Sequence, residues 1–291
     1  MLKLLFYSVI FAVCSNLPSC KNRETPEAEM KIIGGSELSE DQFPSVRKLK
    51  IFKRHEDGSH TLSSTCSMTF IKPNVALTAG HCLCHGDRYV FSDKARWDDF
   101  ISVKASRHPL YKCAESSPNK FDVGLIWFDG KVAMPVSPLI GINQQLRSNA
   151  WTLVGYGNNI LKVTGSFWRG GRVIVKETSR PSPRKGEREF DGKHSGEVEW
   201  SGKTSDGGGF FSLSAEFDIT RPVHSPVSGE VASGEGDSGG AVFTRGDDTL
   251  IGVMSRGGEK FSGFGSNKVT CYTDVIDLRR PDIQSFIQSA E

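Results

Sequence analysis

From residue 46 to residue 275 the chain is a succession of short β-forming runs separated by turn-forming residues, and no other feature constrains its fold as much. Val46–Phe52, Met68–Ile71, Val75–Thr78, Tyr89–Phe91, Ile101–Lys104, Val123–Phe128 and Trp151–Val154 make a first set. Val173–Lys176, Val198–Trp200, Phe210–Leu213, Ala241–Phe243, Leu250–Met254 and Val269–Val275 make a second. β-branched and aromatic residues fill these runs, and Gly, Pro and Asp punctuate them. The pattern predicts an all-β barrel or sandwich. Residues 177–209, rich in Lys, Arg, Glu, Ser and Gly, read as a long surface excursion whose charges form a solvated face. The end differs: after Pro281-Asp282, Ile283, Phe286 and Ile287 recur at helical spacing, which predicts a short amphipathic C-terminal helix.

Composition narrows the class. The 291 residues suit one large domain or two small ones. With 37% hydrophobic and 24% charged residues, the chain is not a disordered one. The 36 Lys and Arg nearly cancel the 34 Asp and Glu, for a formal charge of +2. That balance gives no general reason to expect nucleic acid or a membrane surface as a partner. No apolar run reaches the roughly 18–20 residues of a membrane-spanning helix. Nothing in the sequence calls for a cofactor or a metal.

The N-terminus reads as an address. Lys3 gives a positive start, Leu4–Val13 is apolar, and small, turn-forming residues follow. Residues 1–20 therefore have the layout of a secretory signal. Their end, Leu17-Pro18-Ser19-Cys20, resembles the lipobox of bacterial lipoproteins, although Pro18 is unusual there. Two outcomes stay open: lipidation of Cys20 and anchoring to a bacterial envelope, or ordinary cleavage and release. Residues 21–31 are polar, without apolar period, and read as a tether or propeptide.

Secretion makes the cysteines readable. Cys14 leaves with the signal, and Cys20 is the lipid site or is also lost. Cys66 and Cys82 flank a β-like stretch, and Cys84 with Cys113 makes a reasonable second pair. Cys271 is left over, as a buried small hydrophobe. The sequence alone leaves the connectivity open.

Three segments carry the chemistry: Thr78-Ala79-Gly80-His81-Cys82, Phe121-Asp122-Val123-Gly124, and Gly234-Glu235-Gly236-Asp237-Ser238-Gly239-Gly240. A serine hydroxyl is a poor nucleophile without a base in reach, and an imidazole base needs a carboxylate to orient it. Gly236–Gly240 also matches the G-x-S-x-G elbow of α/β-hydrolases, but that fold needs its His after its Ser. None of the seven His follows Ser238. His81-Cys82-Leu83-Cys84-His85 could be read as a zinc cluster. Only alternating neighbours could converge there, no second cluster exists to complete it, and Cys82 has Cys66 as a better partner.

The order His81, Asp122, Ser238 resembles that of the trypsin/chymotrypsin-like serine proteases. Ile32-Ile33-Gly34-Gly35 is similar to the mature N-terminus of that family, Thr78–Cys82 to its histidine motif and Gly236–Gly240 to its serine motif. Trp151–Gly157 resembles the segment opening its second barrel, and Cys66 has the family's spacing to Cys82. The resemblance covers residues 32–291 as one protease domain. It implies two six-stranded antiparallel barrels with a triad in the cleft between them. Ser238 would be the nucleophile, His81 the general base and then acid, and Asp122 its orienting carboxylate. The N–H groups of Gly236 and Ser238 would bind the oxyanion, a contribution of about 3–4 kcal/mol per donor in a comparable hydrolase.

The resemblance also implies a switch. Cleavage after Lys31 by an activating protease would free the amine of Ile32 to pair with the Asp237 carboxylate and order the oxyanion loop. A secreted or lipid-anchored, monomeric serine endopeptidase acting on proteins or peptides follows. A catalytically silent protease-fold binding protein is the alternative. Ala232, six residues before Ser238, falls at the base of the specificity pocket, followed by Ser233. No Asp lies there to neutralise a substrate Lys or Arg. Ser255-Arg256-Gly257 would supply one wall, left open at Gly257, and Thr270 would narrow the other. Small or medium apolar side chains are the implied preference. Gly234 stands where the family has a pocket disulfide.

Overall fold

The computed structural model describes residues 32–93, 98–113, 119–157, 163–169, 172–177, 192–218, 230–261 and 268–289. The signal segment, Cys20, the tether and Lys31 lie outside the described residues.

The first half closes on itself. Strands β2 (Val46–Arg54), β3 (His60–Lys72), β4 (Val75–Thr78), β5 (Arg88–Asp93), β6 (Asp98–Arg107) and β7 (Gly124–Phe128) form a closed barrel in the order β2-β3-β4-β7-β6-β5. Inward positions are aromatic and aliphatic. Phe70, Phe91 and Phe128 are fully buried and meet within ring-centroid distances of 4.8–5.7 Å. Burying each such ring stabilises the barrel by about 1.5–3 kcal/mol.

The second half is an eight-stranded antiparallel sheet. Its strands are β1 (Ser36–Leu38), β8 (Ala150–Gly155), β11 (Lys193–Glu199), β12 (Thr204–Ser205), β13 (Phe210–Asp218), β14 (Ala241–Thr244), β15 (Leu250–Phe261) and β16 (Lys268–Asp277). They run in the order β1-β11-β8-β14-β15-β16-β13-β12. The six-strand run β11-β8-β14-β15-β16-β13 is the counterpart of the first barrel; no ladder among the described residues joins β11 to β13. A separate two-stranded ladder pairs β9 (Val163–Arg169) with β10 (Arg172–Glu177). Trp151 anchors this half, stacked 5.2 Å from Trp200 and edge-on to Phe211 at 4.9 Å.

The predicted helix is α1 (Pro281–Gln288), with Pro281 in its first turn and Ile283, Phe286 and Ile287 buried. Buried Gln284 donates from Nε2 to the carbonyls of Ile140 at 2.8 Å and Leu278 at 2.7 Å, which fixes the helix to the chain between the halves.

One sequence expectation needs correction. Residues 177–209 are not a surface excursion throughout, because residues 193–199 are β11, an inner strand between β1 and β8. The charge that made the segment look solvated includes Lys193, whose side chain is fully buried. Its Nζ donates to the carbonyls of Glu40, Gln42 and Phe43 at 2.8–3.2 Å.

Candidate active site

The segments singled out in the sequence meet where the two halves abut. After β4 ends at Thr78, a 3-10 turn over Gly80–Leu83 presents His81. The disulfide Cys66–Cys82 ties this turn to β3, and Cys84–Cys113 holds its far side. Gly80 allows a close approach: a Cβ there would lie 3.1 Å from Asp122 Oδ1 and from the Tyr111 ring, tighter than an ordinary contact.

Asp122 directly precedes the Val123-Gly124 entry into β7 and is fully buried. Its Oδ1 accepts the His81 backbone N–H at 2.7 Å. Its Oδ2 lies 2.8 Å from His81 Nδ1 and accepts the Ser255 hydroxyl at 2.6 Å. An ionised carboxylate can only accept, so Nδ1 is the donor in this contact and Nε2 is the ring nitrogen left for a reactant. The imidazole is 30% exposed, which leaves an edge open to a reactant. Ser255 was visible in the sequence only as part of a pocket wall; nothing local marks it as a partner of Asp122.

Ser238 sits against the first barrel. Its carbonyl accepts the Ser67 N–H at 2.8 Å and lies 3.7 Å from Cys82 Sγ, the residue after His81. Its hydroxyl donates to no protein acceptor among the described residues. Neither do the N–H groups of Gly236 and Ser238. Gly239 has φ +83°, and a Cβ there would stand 2.2 Å from both Ser67 O and Thr78 Oγ1. Only glycine lets the serine loop come this close to the opposite barrel.

Asp237 is fully buried and accepts the N–H of Gly157 at 2.7 Å and of Gly234 at 2.8 Å. Ile32 is fully buried in a core cluster drawn from both halves, and Ile33 bridges Ala232, whose N–H donates to Ile33 O at 3.2 Å. Two residues missed in the sequence brace this loop. Ser67 donates from Oγ to Gly236 O at 3.1 Å and accepts the Tyr156 N–H at 2.9 Å. Tyr156 is itself buried, and burial together with neighbouring Glu40 holds its phenol pKa well above the ordinary value.

The residues that the resemblance implies for a specificity pocket occupy a tight corner. Ala232 is 1% exposed. Ser233 gives its N–H to Thr273 Oγ1 at 2.8 Å, and the two hydroxyls meet at 2.9 Å. Gly257 faces them: a Cβ on it would stand 3.0 Å from Ser233 Oγ. Thr270 lies further along β16, opposite Lys260 and Glu216. Sequence reasoning chose Thr270 for this wall; the side chain that reaches Ser233 is Thr273.

The sulfurs of Cys66 and Cys82 and a ring nitrogen of His81 lie within 4.8 Å of one another. Both sulfurs are consumed in one disulfide, and Cys84 in another, so none is a thiolate ligand. Cys271 is outside both disulfides and buried. No helix among the described residues is long and apolar enough to cross a membrane.

No protein-family model and no curated protein matches the chain. Solved structures do. HL collagenase aligns with a TM-score of 0.54 at 15% identity, over 89% of this chain and 98% of that one. Neuropsin, a serine protease expressed in the limbic system of mouse brain, aligns with a TM-score of 0.54 at 15% identity, over 89% and 99%. The fold is that of the trypsin/chymotrypsin-like serine proteases.

Proposed function

We propose that the chain is a serine endopeptidase of the extracytoplasmic space, monomeric, made as a precursor and activated by another protease that cuts after Lys31. The His81 Nδ1–Asp122 Oδ2 contact at 2.8 Å carries this reading. A fully buried carboxylate holding one imidazole nitrogen, with the other edge exposed, is the arrangement a general base needs.

In the proposed reaction Ser238 Oγ attacks the scissile carbonyl carbon and its proton passes to His81 Nε2. The resulting oxyanion accepts the N–H groups of Gly236 and Ser238. His81 then gives its proton to the leaving amine, and a water molecule repeats the sequence on the acyl-enzyme. Asp122 orients the ring and stabilises the imidazolium. In the proposed switch the Ile32 amine freed by cleavage pairs with the Asp237 carboxylate, and a buried ion pair forms only when both members are present. If Cys20 carries lipid, the same cut releases the enzyme from its anchor.

The test is labelling by a small fluorophosphonate before and after cleavage at Lys31, with Ser238→Ala as control. Labelling of Ser238 that rises sharply on processing supports the reading. A processed protein that is never labelled is the silent binding protein instead. An Ile32→Gly variant that keeps full activity after processing would remove the switch alone.

A further inference from the structure

Beside the turn that presents His81, one strand edge of the first barrel is left open. β5 and β6 pair only from Val90↔Ile101 to Asp93↔Asp98. Before Val90 the β5 chain keeps to β2 instead: Tyr89 pairs with Ile51, Arg88 with Phe52, and the Asp87 N–H donates to Phe52 O at 3.1 Å. Among the described residues, β6 from 102 to 107 is therefore paired on its β7 side alone. The His108 N–H donates to Val123 O at 2.9 Å, toward β7. Backbone groups alternate sides along a strand, so the N–H and C=O groups of Arg107 and Ala105 point the other way, into the gap. That gap is a cavity of about 580 Å³, with Leu83, Asp87 and Tyr89 on one side and Val103, Lys104 and Arg107 on the other. Its volume is that of an ordinary ligand cleft.

The chemistry of the cavity selects an occupant. Val103 is 67% exposed, more than any other large apolar side chain among the described residues. Lys104 holds its Nζ 4.4 Å over the Trp127 ring, and Arg107 donates from Nη1 to Leu83 O at 2.8 Å. Both are exposed at the mouth. The one carboxylate of the lining, Asp87, already lies 3.7 Å from His60 Nε2. We infer that this edge docks an extended acidic peptide segment of a partner protein, added as a further strand along Ser102–Arg107. The main chain of such a segment pairs with Ala105 and Arg107, its carboxylates face Lys104 and Arg107, and an apolar residue covers Val103. In strand addition, main-chain hydrogen bonds give affinity and alternate side chains give selectivity. The site is separate from the serine chemistry and does not depend on it. It abuts the catalytic turn through Leu83, two residues after His81, whose carbonyl also accepts the Tyr89 hydroxyl at 3.2 Å.

The experiment titrates a fluorescent peptide of alternating Val and Glu against the full chain carrying Ser238→Ala, which prevents cleavage of the probe. Amide hydrogen exchange is followed by mass spectrometry with and without the peptide. Saturable binding with slowed exchange at residues 102–107 is the expected result. An alternating Val and Lys peptide should bind at least about tenfold more weakly. So should the Val and Glu peptide N-methylated at alternate residues, which keeps its charge but cannot complete a ladder. Arg107→Glu and Lys104→Glu should each weaken binding at least about tenfold, and Lys203→Glu, at an exposed position in the second half, by less than about twofold. Circular dichroism checks that each variant is folded; if Arg107→Glu is not, Lys104→Glu carries the test. No saturation up to about 1 mM peptide overturns the docking site. Equal binding of the Lys-containing peptide overturns its acidic preference, and equal binding of the N-methylated one overturns strand addition. Slowed exchange at residues 250–261 in place of 102–107 puts the peptide in the catalytic cleft and also overturns the site.

Discussion

The Ser67 hydroxyl donates to the Gly236 carbonyl oxygen across 3.1 Å, so a residue of the first barrel fixes a peptide plane in the Ser238 loop of the second half. Ser67 Oγ also accepts the Tyr156 N–H, and the neighbouring Gly157 N–H reaches Asp237. Ser67 is fully buried, and removing its hydroxyl leaves an acceptor and a donor without a partner. Ser67→Ala is expected to cost about 1–3 kcal/mol of stability. By loosening the donors, it should also lower kcat about 10- to 100-fold, with a smaller change in KM. Urea denaturation and steady-state kinetics on an alanine peptide check both. An unaltered kcat would show that the loop holds its shape without this brace.

Asp122 receives donors from three directions, and their roles differ. The His81 backbone N–H and the Ser255 hydroxyl hold the carboxylate, and the carboxylate holds the imidazole. Asp122→Asn keeps the shape but presents an amide that can donate toward Nδ1, which favours the wrong tautomer. The expected loss in kcat is about 10⁴-fold. The melting temperature should move far less than that loss implies, because the volume is conserved. Fluorophosphonate labelling should slow in step with kcat. A variant that labels at the normal rate would mean that His81 does not depend on this carboxylate.

What the sequence made legible was local. The strands β4, β7 and β8 lie where β-forming runs and turn residues put them, and Ile283, Phe286 and Ile287 face inward on α1 as their spacing requires. The order of His81, Asp122 and Ser238 could be read because each stands in a motif with a local backbone reason. Ser67, Ser255 and Thr273 could not. Each is a common residue inside a strand, and its importance comes from a partner more than 30 positions away in the chain. Lys193 was misread for a related reason. Its charge argues for solvent, and only the fold supplies the three carbonyls that satisfy it.

That buried lysine is testable. Lys193→Met keeps the unbranched apolar stem, one atom shorter, but leaves the carbonyls of Glu40, Gln42 and Phe43 without this donor. A loss of about 2–4 kcal/mol is expected. Lys53→Met, at an exposed position on β2, should stay within about 0.5 kcal/mol. Equal effects of the two substitutions in denaturant titrations would mean that the loop over residues 40–43 does not rely on Lys193.

His108 gives the fold a pH dependence separate from catalysis. Its ring is 6% exposed, stacks on Phe121 at 4.8 Å and meets Phe286 of α1 edge-on at 5.1 Å. Nδ1 accepts the Leu110 N–H at 3.2 Å, so the neutral ring carries its proton on Nε2. Burial lowers the pKa from the ordinary 6.5; the backbone and carboxylate of Asp282 oppose this, and the charge of Arg280 reinforces it. A depressed histidine pKa means that the unfolded chain takes up the proton first as pH falls. The stability from the neutral ring is therefore complete above about pH 6.5 and is lost progressively as pH drops toward the folded value, with a slope of at most about 1.4 kcal/mol per pH unit. Asp282 itself titrates in a lower window: burial works against its charge, but Arg280, the Ile283 N–H and His108 together outweigh burial and keep its pKa below the ordinary 3.8. Between pH 7.5 and pH 5, denaturant midpoints of the unmodified chain should fall, and those of His108→Gln should fall less. Parallel curves for the two proteins would place the pH sensitivity elsewhere.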